Sequence, residues 1–427
     1  MQKRRRITFG ATAVALLTAA PAIGIGTAAS PASASSPVSF TWWTSAYGTA
    51  AVATLDSAFD KAYPQYQAQG QYVAKSDIYF PKVIAALKTN TQPTAYIDQQ
   101  PYDLPIVEES GKLIPLTGKM TGLTNQLYAG VRKSLFYQGQ QLGMALGGIG
   151  DIALFYNKTD FAQAGISSPP TTWAQLAADA AKLTDPSAHR YGFYVPTGDA
   201  EWISYDWEPV LWGDGGSLLN ANQTKATFDS AAGIAALSTW VNMVRSQKVA
   251  PATSYATGGN FDGPSAFASN AVAMITDGPW LEGEVPKSLD YGVVQYPAGS
   301  AGGSTNIGEG VVALLKTTPA QDQAGLAFIK FLASPAEGAY LTAQSGGLPS
   351  SPAQLSEPAM QKEKAANWYS VFADNLQYGQ TRPLNPKWYT ASSYLYTEIS
   401  DAIAGKVTPA QALSTAAHEV NQALAQS

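Results

Sequence analysis

Residues 142–184, LGMALGGIGDIALFYNKTDFAQAGISSPPTTWAQLAADAAKLT, contain the junction from which the architecture is read. Glycines at 143, 147, 148 and 150 loosen the first part, which reads as a flexible crossing. An apolar strand, Ile152 to Tyr156, follows and is closed by Asn157-Lys158. After a turn the chain enters a helix with a legible start. Thr172 is placed to cap it and Gln175 stands three residues on, the capping-box spacing. Trp173, Leu176, Ala177, Ala180 and Leu183 recur at helical spacing, and Asp185-Pro186 stops the run. A crossing, a buried strand and a packed helix in succession mark the entry into a second lobe.

The chain has 427 residues, more than a single core normally grows to, so two lobes are the expectation. Apolar residues at 45% and aromatics at 11% suffice for packed cores, whereas charged residues make up only 13%. Four of the 26 basic residues (Lys3, Arg4, Arg5, Arg6) precede residue 35, leaving 22 against 31 acids and a net charge near −9 for the remainder. Nucleic acid is not an expected partner, because a phosphate backbone selects clustered basic surface and none is present. Cysteine is absent, which removes disulfides, thiolate metal sites and cysteine nucleophiles together.

Residues 1–34 read as an export signal: a basic start, an apolar Ile7–Ala20 core, and small residues ending Ala32-Ser33-Ala34. Cleavage is expected after Ala34, with Ala29 the other position. An uncleaved anchor helix is the alternative, opposed by Pro21 and the glycines. Adjacent arginines leave both the Sec and the twin-arginine route open. No later stretch is apolar for long enough to span a bilayer.

From Val38 strands and helices alternate. Strands are expected at Val38–Trp43, Gln71–Ala74 and Thr94–Ile97, and helices at Thr49–Ala62 and Pro81–Lys88. This βαβαβ order implies parallel pairing with right-handed crossovers. Ligands of such sheets sit beyond the carboxyl ends of the strands. Those ends are Trp43-Thr44-Ser45-Ala46-Tyr47 and Asp98-Gln99-Gln100-Pro101-Tyr102.

Further on, residues 199–212 (DAEWISYDWEPVLW) interleave three tryptophans, a tyrosine and four acids. They read as a ligand face or, alternatively, as a core helix stripe through Trp202 and Tyr205. Residues 215–228 read as a hairpin; Asn220, Asn222 and Thr224 there lack the spacing and acid count of a calcium loop. Strands are expected at Ala271–Ile275, Tyr291–Tyr296 and Asn306–Lys316, with Pro297–Thr305 as a second crossing. Thr318-Pro319 and Ser334-Pro335 open two capped helices, and a last helix carries Leu413, Ala416, Ala417, Val420 and Leu424.

With two histidines, His189 and His418, and no cysteine, neither a Ser-His-Asp triad nor a histidine-rich metal site is supported. No Walker A or dinucleotide glycine pattern occurs, so no cofactor is expected. Aromatic rings, carboxylates and amides at strand ends remain. Sugars present CH faces that pack on rings and hydroxyls that need paired acceptors and donors. The acids Asp98, Asp103, Asp151, Glu201, Asp277 and Glu309 at these loops favour a neutral polyhydroxyl solute over an anionic one.

YNK, AG and P.TW..L in residues 142–184, then DGPW at 277–280, YGVVQYP at 291–297 and FIKFLASPAEGAY…GGLPSSP from 328 to 352 stand in one order. In this order they resemble the extracellular solute-binding proteins of sugar ABC importers, the maltose-binding-protein type. The resemblance covers nearly the whole chain after the leader. It implies an α/β, two-lobed periplasmic-binding-protein-like fold with a hinge and an interlobe cleft. It places ligand contacts at Trp43, Ser45, Gln99, Gln100, Tyr102, Asp151, Trp202, Tyr205 and Trp280, with Glu309 among the acids. The late segment 377–389, QYGQTRPLNPKWY, resembles the family's last ligand loop and adds Tyr378, Arg382 and Trp388. For each tryptophan hydrophobic packing is the alternative, and for Arg382 an ion pair. The absent cysteine removes the lipid attachment that Gram-positive members usually carry.

The organisation expected is a signal peptide at 1–34, lobe I at 35–148 plus 300–348, and lobe II at 149–299 plus 349–427. The function expected is that of an exported, monomeric, non-enzymatic protein that delivers a neutral sugar or oligosaccharide to the permease subunits of an ABC importer. A glycerol-phosphate or polyol binder of the same fold is the runner-up. A glycoside hydrolase using Glu201, Glu208 or Asp151, and a structural adhesin, are the readings from other classes.

Overall fold

The structure is a computed structural model, and it describes residues 36–74, 76–98, 100–197, 201–251 and 262–425. The expected signal peptide and Gln99 lie outside the described residues. The first strand, β1 (Val38–Thr44), turns Phe40, Trp42 and Thr44 inward and leaves Ser39 and Thr41 at the surface. This period-2 alternation is that of a pleated strand with one face on a core. Helix α1 (Thr49–Ala62) buries Val52, Leu55 and Phe59 on one face. Strand β2 (Tyr66–Tyr72) begins before the expected Gln71–Ala74. Its sequence YQAQGQY has little apolar signal because it is an edge strand. Asp56 on α1 ties it down, accepting from Gly70 N at 2.9 Å and from Trp42 Nε1 at 2.6 Å.

Helix α2 (Ser76–Thr89) starts five residues before the expected Pro81 and carries that proline in its interior. Strand β3 (Ala95–Asp98) follows. Both β2 and β3 pair in parallel with β1, as the βαβαβ order requires.

The glycine-rich residues 143–150 are not simply a crossing. Met144–Gly150 form strand β4. Gly147 and Gly148 have φ of +100° and +68°, a region that side chains disfavour. A Cβ on Gly147 would lie 2.0 Å from Thr342 Oγ1. The glycines therefore serve close packing within the sheet, and only Asp151-Ile152 separate this strand from the next. Beyond it run β5 (Ala153–Asn157), α3 (Trp173–Leu183), α4 (Glu201–Gly213) and α5 (Ala231–Arg245). Strands β6 (Met274–Asp277), β7 (Tyr291–Gln295) and β8 (Gly308–Leu314) come next. The helices α6 (Pro319–Leu332), α7 (Pro335–Ser345), α8 (Tyr369–Asn375), α9 (Trp388–Ala404) and α10 (Pro409–Ala425) follow, with the short helices Pro352–Leu355 and Pro358–Lys364 between α7 and α8.

The larger sheet has the order β2-β1-β3-β8-β4, with β8 antiparallel to both of its neighbours. The smaller has the order β6-β5-β7, antiparallel throughout. Helices α6 and α7 pack on the larger sheet, α8 on the smaller, and α4, α5, α9 and α10 on one another. The caps legible in sequence form. Thr172 accepts from Gln175 N at 3.2 Å, Thr318 from Gln321 N at 3.4 Å and Ser334 from Glu337 N at 3.4 Å. In the segment read as a hairpin, Asn220 Oδ1 accepts from Thr224 N at 2.8 Å and Lys225 N at 3.2 Å, so the turn consumes it.

The chain passes between the two sheets after Gly150, between β7 and β8, and after α7. These passages are fastened to one another. Ile152 N donates to Thr305 Oγ1 at 2.9 Å, Thr305 Oγ1 donates back to Ile152 O at 2.9 Å, and Asn375 Nδ2 donates to the same oxygen at 3.0 Å. Ile149 and Leu348 exchange backbone hydrogen bonds of 2.9 and 2.8 Å.

The packing of α3 depends on one missing side chain. A Cβ on Gly192 would lie 2.1 Å from Ala180 O and 2.3 Å from Ala180 Cα, backbone atoms that cannot rotate aside. Gly192→Ala is expected to lower unfolding stability by about 3 kcal/mol, measured by urea denaturation. A loss below about 0.5 kcal/mol would mean that α3 moves away freely.

Candidate functional site

Helix α4 is buried on every side except for half-buried Glu201. An amphipathic surface helix shows one apolar stripe; a helix enclosed all round must direct its polar groups at specific partners. Trp202 and Tyr205 stack, with centroids 5.6 Å apart and planes inclined at 29°. Glu201, Ser204 and Glu208 lie along a second stripe, and Arg382 lies against it. Arg382 Nε stands 2.9 Å from the Glu208 carboxylate and its Nη2 donates to Ser204 Oγ at 2.9 Å. Its Nη1 forms an ion pair with Glu201 and donates to Tyr102 Oη at 3.2 Å.

Trp280 follows β6 in a short 3-10 turn and meets Trp202 edge-on, with centroids 6.2 Å apart. Glycines make room for its ring: a Cβ on Gly150 would lie 2.6 Å from it, and one on Gly278 2.2 Å. The ring therefore lies against the backbone of the first passage. On the other side stands the loop after β3. A Cβ on Gly308 would lie 2.9 Å from the Gln100 amide and 3.1 Å from Tyr205 Oη, which places those two groups together.

Several buried atoms around these rings have no hydrogen-bond partner among the described residues: both carboxylate oxygens of Asp151, Oδ1 of Asp103 and Oδ1 of Asn306. All of them are oxygens. Asp151 is fully buried, and burial raises its pKa well above the ordinary carboxylate value, with the neighbouring Asn375 amide pulling the other way. Burial likewise raises Asp103, helped by the charges of Asp98 and Glu201 and opposed by Arg382. Glu208 rises from 4.5 to about 7, because burial outweighs its ion pair with Arg382.

Seven expected contacts thus come together: Gln100, Tyr102, Asp151, Trp202, Tyr205, Trp280 and Arg382. Five do not join them in the described contacts. Trp43 is half-buried against the first core, with Lys82 Nζ 4.0 Å above its ring centroid. Ser45 lies half-buried in the bend after β1. Glu309 points at Ser134 in the helix Ala129–Ser134. Tyr378 is exposed and lines a separate crevice of about 510 Å³ with Asp374, Ser304 and Thr171. Trp388, at the start of α9, is wholly enclosed in the second core. Asn306 and Asn375 were not anticipated; each approaches through the third dimension only, and no local pattern marks it.

The bacterial extracellular solute-binding protein family profile matches residues 70–367. A binding protein of Brucella abortus (strain 2308) is 26% identical over 283 residues, covering 64% of this chain; the chain thus spans 65% of that relative's length. Among solved structures, an ABC transporter solute-binding protein of Thermotoga lettingae bound with α-D-tagatose superposes with a TM-score of 0.81. It is 24% identical, with 91% of this chain and 100% of that one covered. An ABC substrate-binding protein of Listeria monocytogenes in complex with cycloalternan gives a TM-score of 0.81 at 23% identity, with 90% and 98% covered. The chain belongs to the bacterial extracellular solute-binding proteins and has their two-lobed α/β fold.

Proposed function

We propose that this protein is exported, captures a neutral sugar or oligosaccharide between its lobes, and delivers it to the permease of an ABC importer without chemical change. The observation that carries the ligand class is the pairing of stacked rings with buried oxygens that have no hydrogen-bond partner among the described residues. Trp202, Tyr205 and Trp280 offer faces for sugar CH groups, each worth about 0.5–1.5 kcal/mol beyond area burial. Asp151, Asp103 and Asn306 present buried oxygens, and sugar hydroxyls supply partners for them. Each such bond contributes about 1 kcal/mol net, more with a carboxylate acceptor. The tagatose and cycloalternan ligands of the structural relatives agree with this chemistry.

The phosphate of a phosphorylated polyol would bring negative charge and further acceptors. The single buried cation among the described residues, Arg382, is already engaged by Glu201 and Glu208. The same pairing ties up Glu201 and Glu208, two of the carboxylates that hydrolysis would need free to exchange protons and attack. The lobe division we propose is 35–148 plus 300–348 against 149–299 plus 349–427, with residues 1–34 removed on export.

A thermal-shift screen over mono- and oligosaccharides, with glycerol 3-phosphate alongside, tests the proposal. A ligand at 100 times its dissociation constant adds about 2.7 kcal/mol of stability, so one sugar class should raise the melting temperature saturably. A response to glycerol 3-phosphate alone would transfer the assignment to polyol phosphates. Release of aryl alcohol from an aryl glycoside would make the protein a hydrolase.

A further inference from the structure

The geometry points to Arg382 as a latch between the two lobes, a positioning residue and not a ligand contact. The inference rests on the proposed hinge-and-cleft reading but concerns how the cleft is held shut. The side chain of Arg382 is 1% exposed. Of its five N–H bonds, Nε is directed at Glu208, the two on Nη1 at Glu201 and Tyr102, and one on Nη2 at Ser204. Almost no donor is left for a ligand.

The partners divide by lobe. Glu201, Ser204 and Glu208 all come from α4. Tyr102 comes from the loop after β3, in the larger sheet's lobe. The guanidinium carbon stands 5.2 Å from the Tyr102 ring centroid and 5.1 Å from that of Tyr205 on α4. A cation over a ring face is attracted by its quadrupole, most strongly where water is excluded. The planar fork therefore touches one ring from each lobe while hydrogen-bonding to both.

Two neighbouring contacts follow the same path. Lys387 Nζ lies 3.5 Å from Glu109, and the Tyr389 ring meets that of Phe80 at 4.9 Å and 66°. Residues 382–389 thus form a strap that grips the larger sheet's lobe at three points, with Arg382 its one buried point. All of these contacts are between protein groups, so the latch favours closure whichever solute is bound. Ligand affinity scales with the fraction of molecules able to adopt the closed form. Weakening the latch therefore weakens every ligand by one common factor.

The natural absence of cysteine makes the test direct. Spin labels at Lys119→Cys and Lys225→Cys, one exposed site in each lobe, report the interlobe distance of the full-length mature protein without sugar. Tyr102→Phe removes one hydrogen bond to a charged group and keeps the ring. It should shift the closed-to-open ratio toward open by about 10-fold, seen as a longer-distance population. Arg382→Lys, which keeps the charge and loses the fork, should shift it further. Distance distributions of Tyr102→Phe that superimpose on those of the parent, with melting unchanged, would overturn the latch; so would a parent that is wholly open. Affinities for two sugars found by the screen provide the second readout. A common factor on Tyr102→Phe supports the latch, and a loss confined to one sugar makes this network a ligand contact. Failure of the sugar screen would leave the distance measurement standing, so the two proposals fail separately.

Discussion

Glu309→Gln should stabilise the protein by about 4 kcal/mol more at pH 8 than at pH 4.5. Glu309 is 2% exposed, Oε1 meets Ser134, and Oε2 has no partner among the described residues. Burial pushes its pKa from 4.5 to about 8. Between those values the folded state holds a proton that the unfolded state has released. Stability must then fall as pH rises, because the unfolded state binds fewer protons. The wild-type cost accumulates from about pH 4.5 and levels off above about pH 8, where both states are ionised. Glutamine is neutral throughout and avoids it. Asp277, raised by burial from 3.8 to about 7, adds a slope of the same sign, so the wild type should be more stable at pH 5.5 than at pH 8. Urea denaturation of both proteins at several pH values isolates the Glu309 share. Parallel pH profiles would show that Glu309 is ionised in the folded protein. Ligand affinity should not change, since the carboxyl faces Ser134 and not the rings.

Trp280→Ala and Trp202→Ala should each weaken sugar binding by about 30-fold, corresponding to about 2 kcal/mol. Each removes a stacked face, and the two rings meet at 6.2 Å, so the double variant should not be additive. Trp43→Ala should cost less than about 3-fold, or about 0.6 kcal/mol, because Lys82 already covers one face of that ring. Titration calorimetry with the sugar identified by screening decides. An equal loss at Trp43 would mean that the ligand reaches the end of β1 and that the aromatic platform extends into the other lobe.

These outcomes separate what local pattern reveals from what it conceals. Capped helices were legible because a cap and its partner lie within four residues, as with Thr172 and Gln175. The parallel β1-β2-β3 core was legible because alternation and helical spacing are local. The start of β2 was not, because an edge strand buries little and YQAQGQY carries almost no apolar signal. Residues 143–150 misled for a different reason. Glycine serves a flexible link and a crowded sheet equally well, and only Thr342 from a helix nearly two hundred residues on distinguishes them.

For the site, residue type pointed to rings and acids, of which the structure brings Trp202, Tyr205, Trp280 and Asp151 together, while partnership was undetermined. Arg382 could have been a ligand contact or an ion pair on sequence grounds; Glu208 and Glu201, some 180 residues upstream, decide its role through direct contact. Trp388 and Trp280 look alike as residue types, yet one is sealed beneath helices and the other rests on the bare backbone of Gly150. Sequence alone pointed to the two-lobed class, through chain length and motifs in a family's order, and to the alternation of strands and helices, because those are read from length, short motifs and short-range periodicity. Tertiary structure alone decided which buried oxygens lack a partner among the described residues, which cation is already neutralised and which rings share a space. Those are properties of atoms brought together from distant parts of the chain.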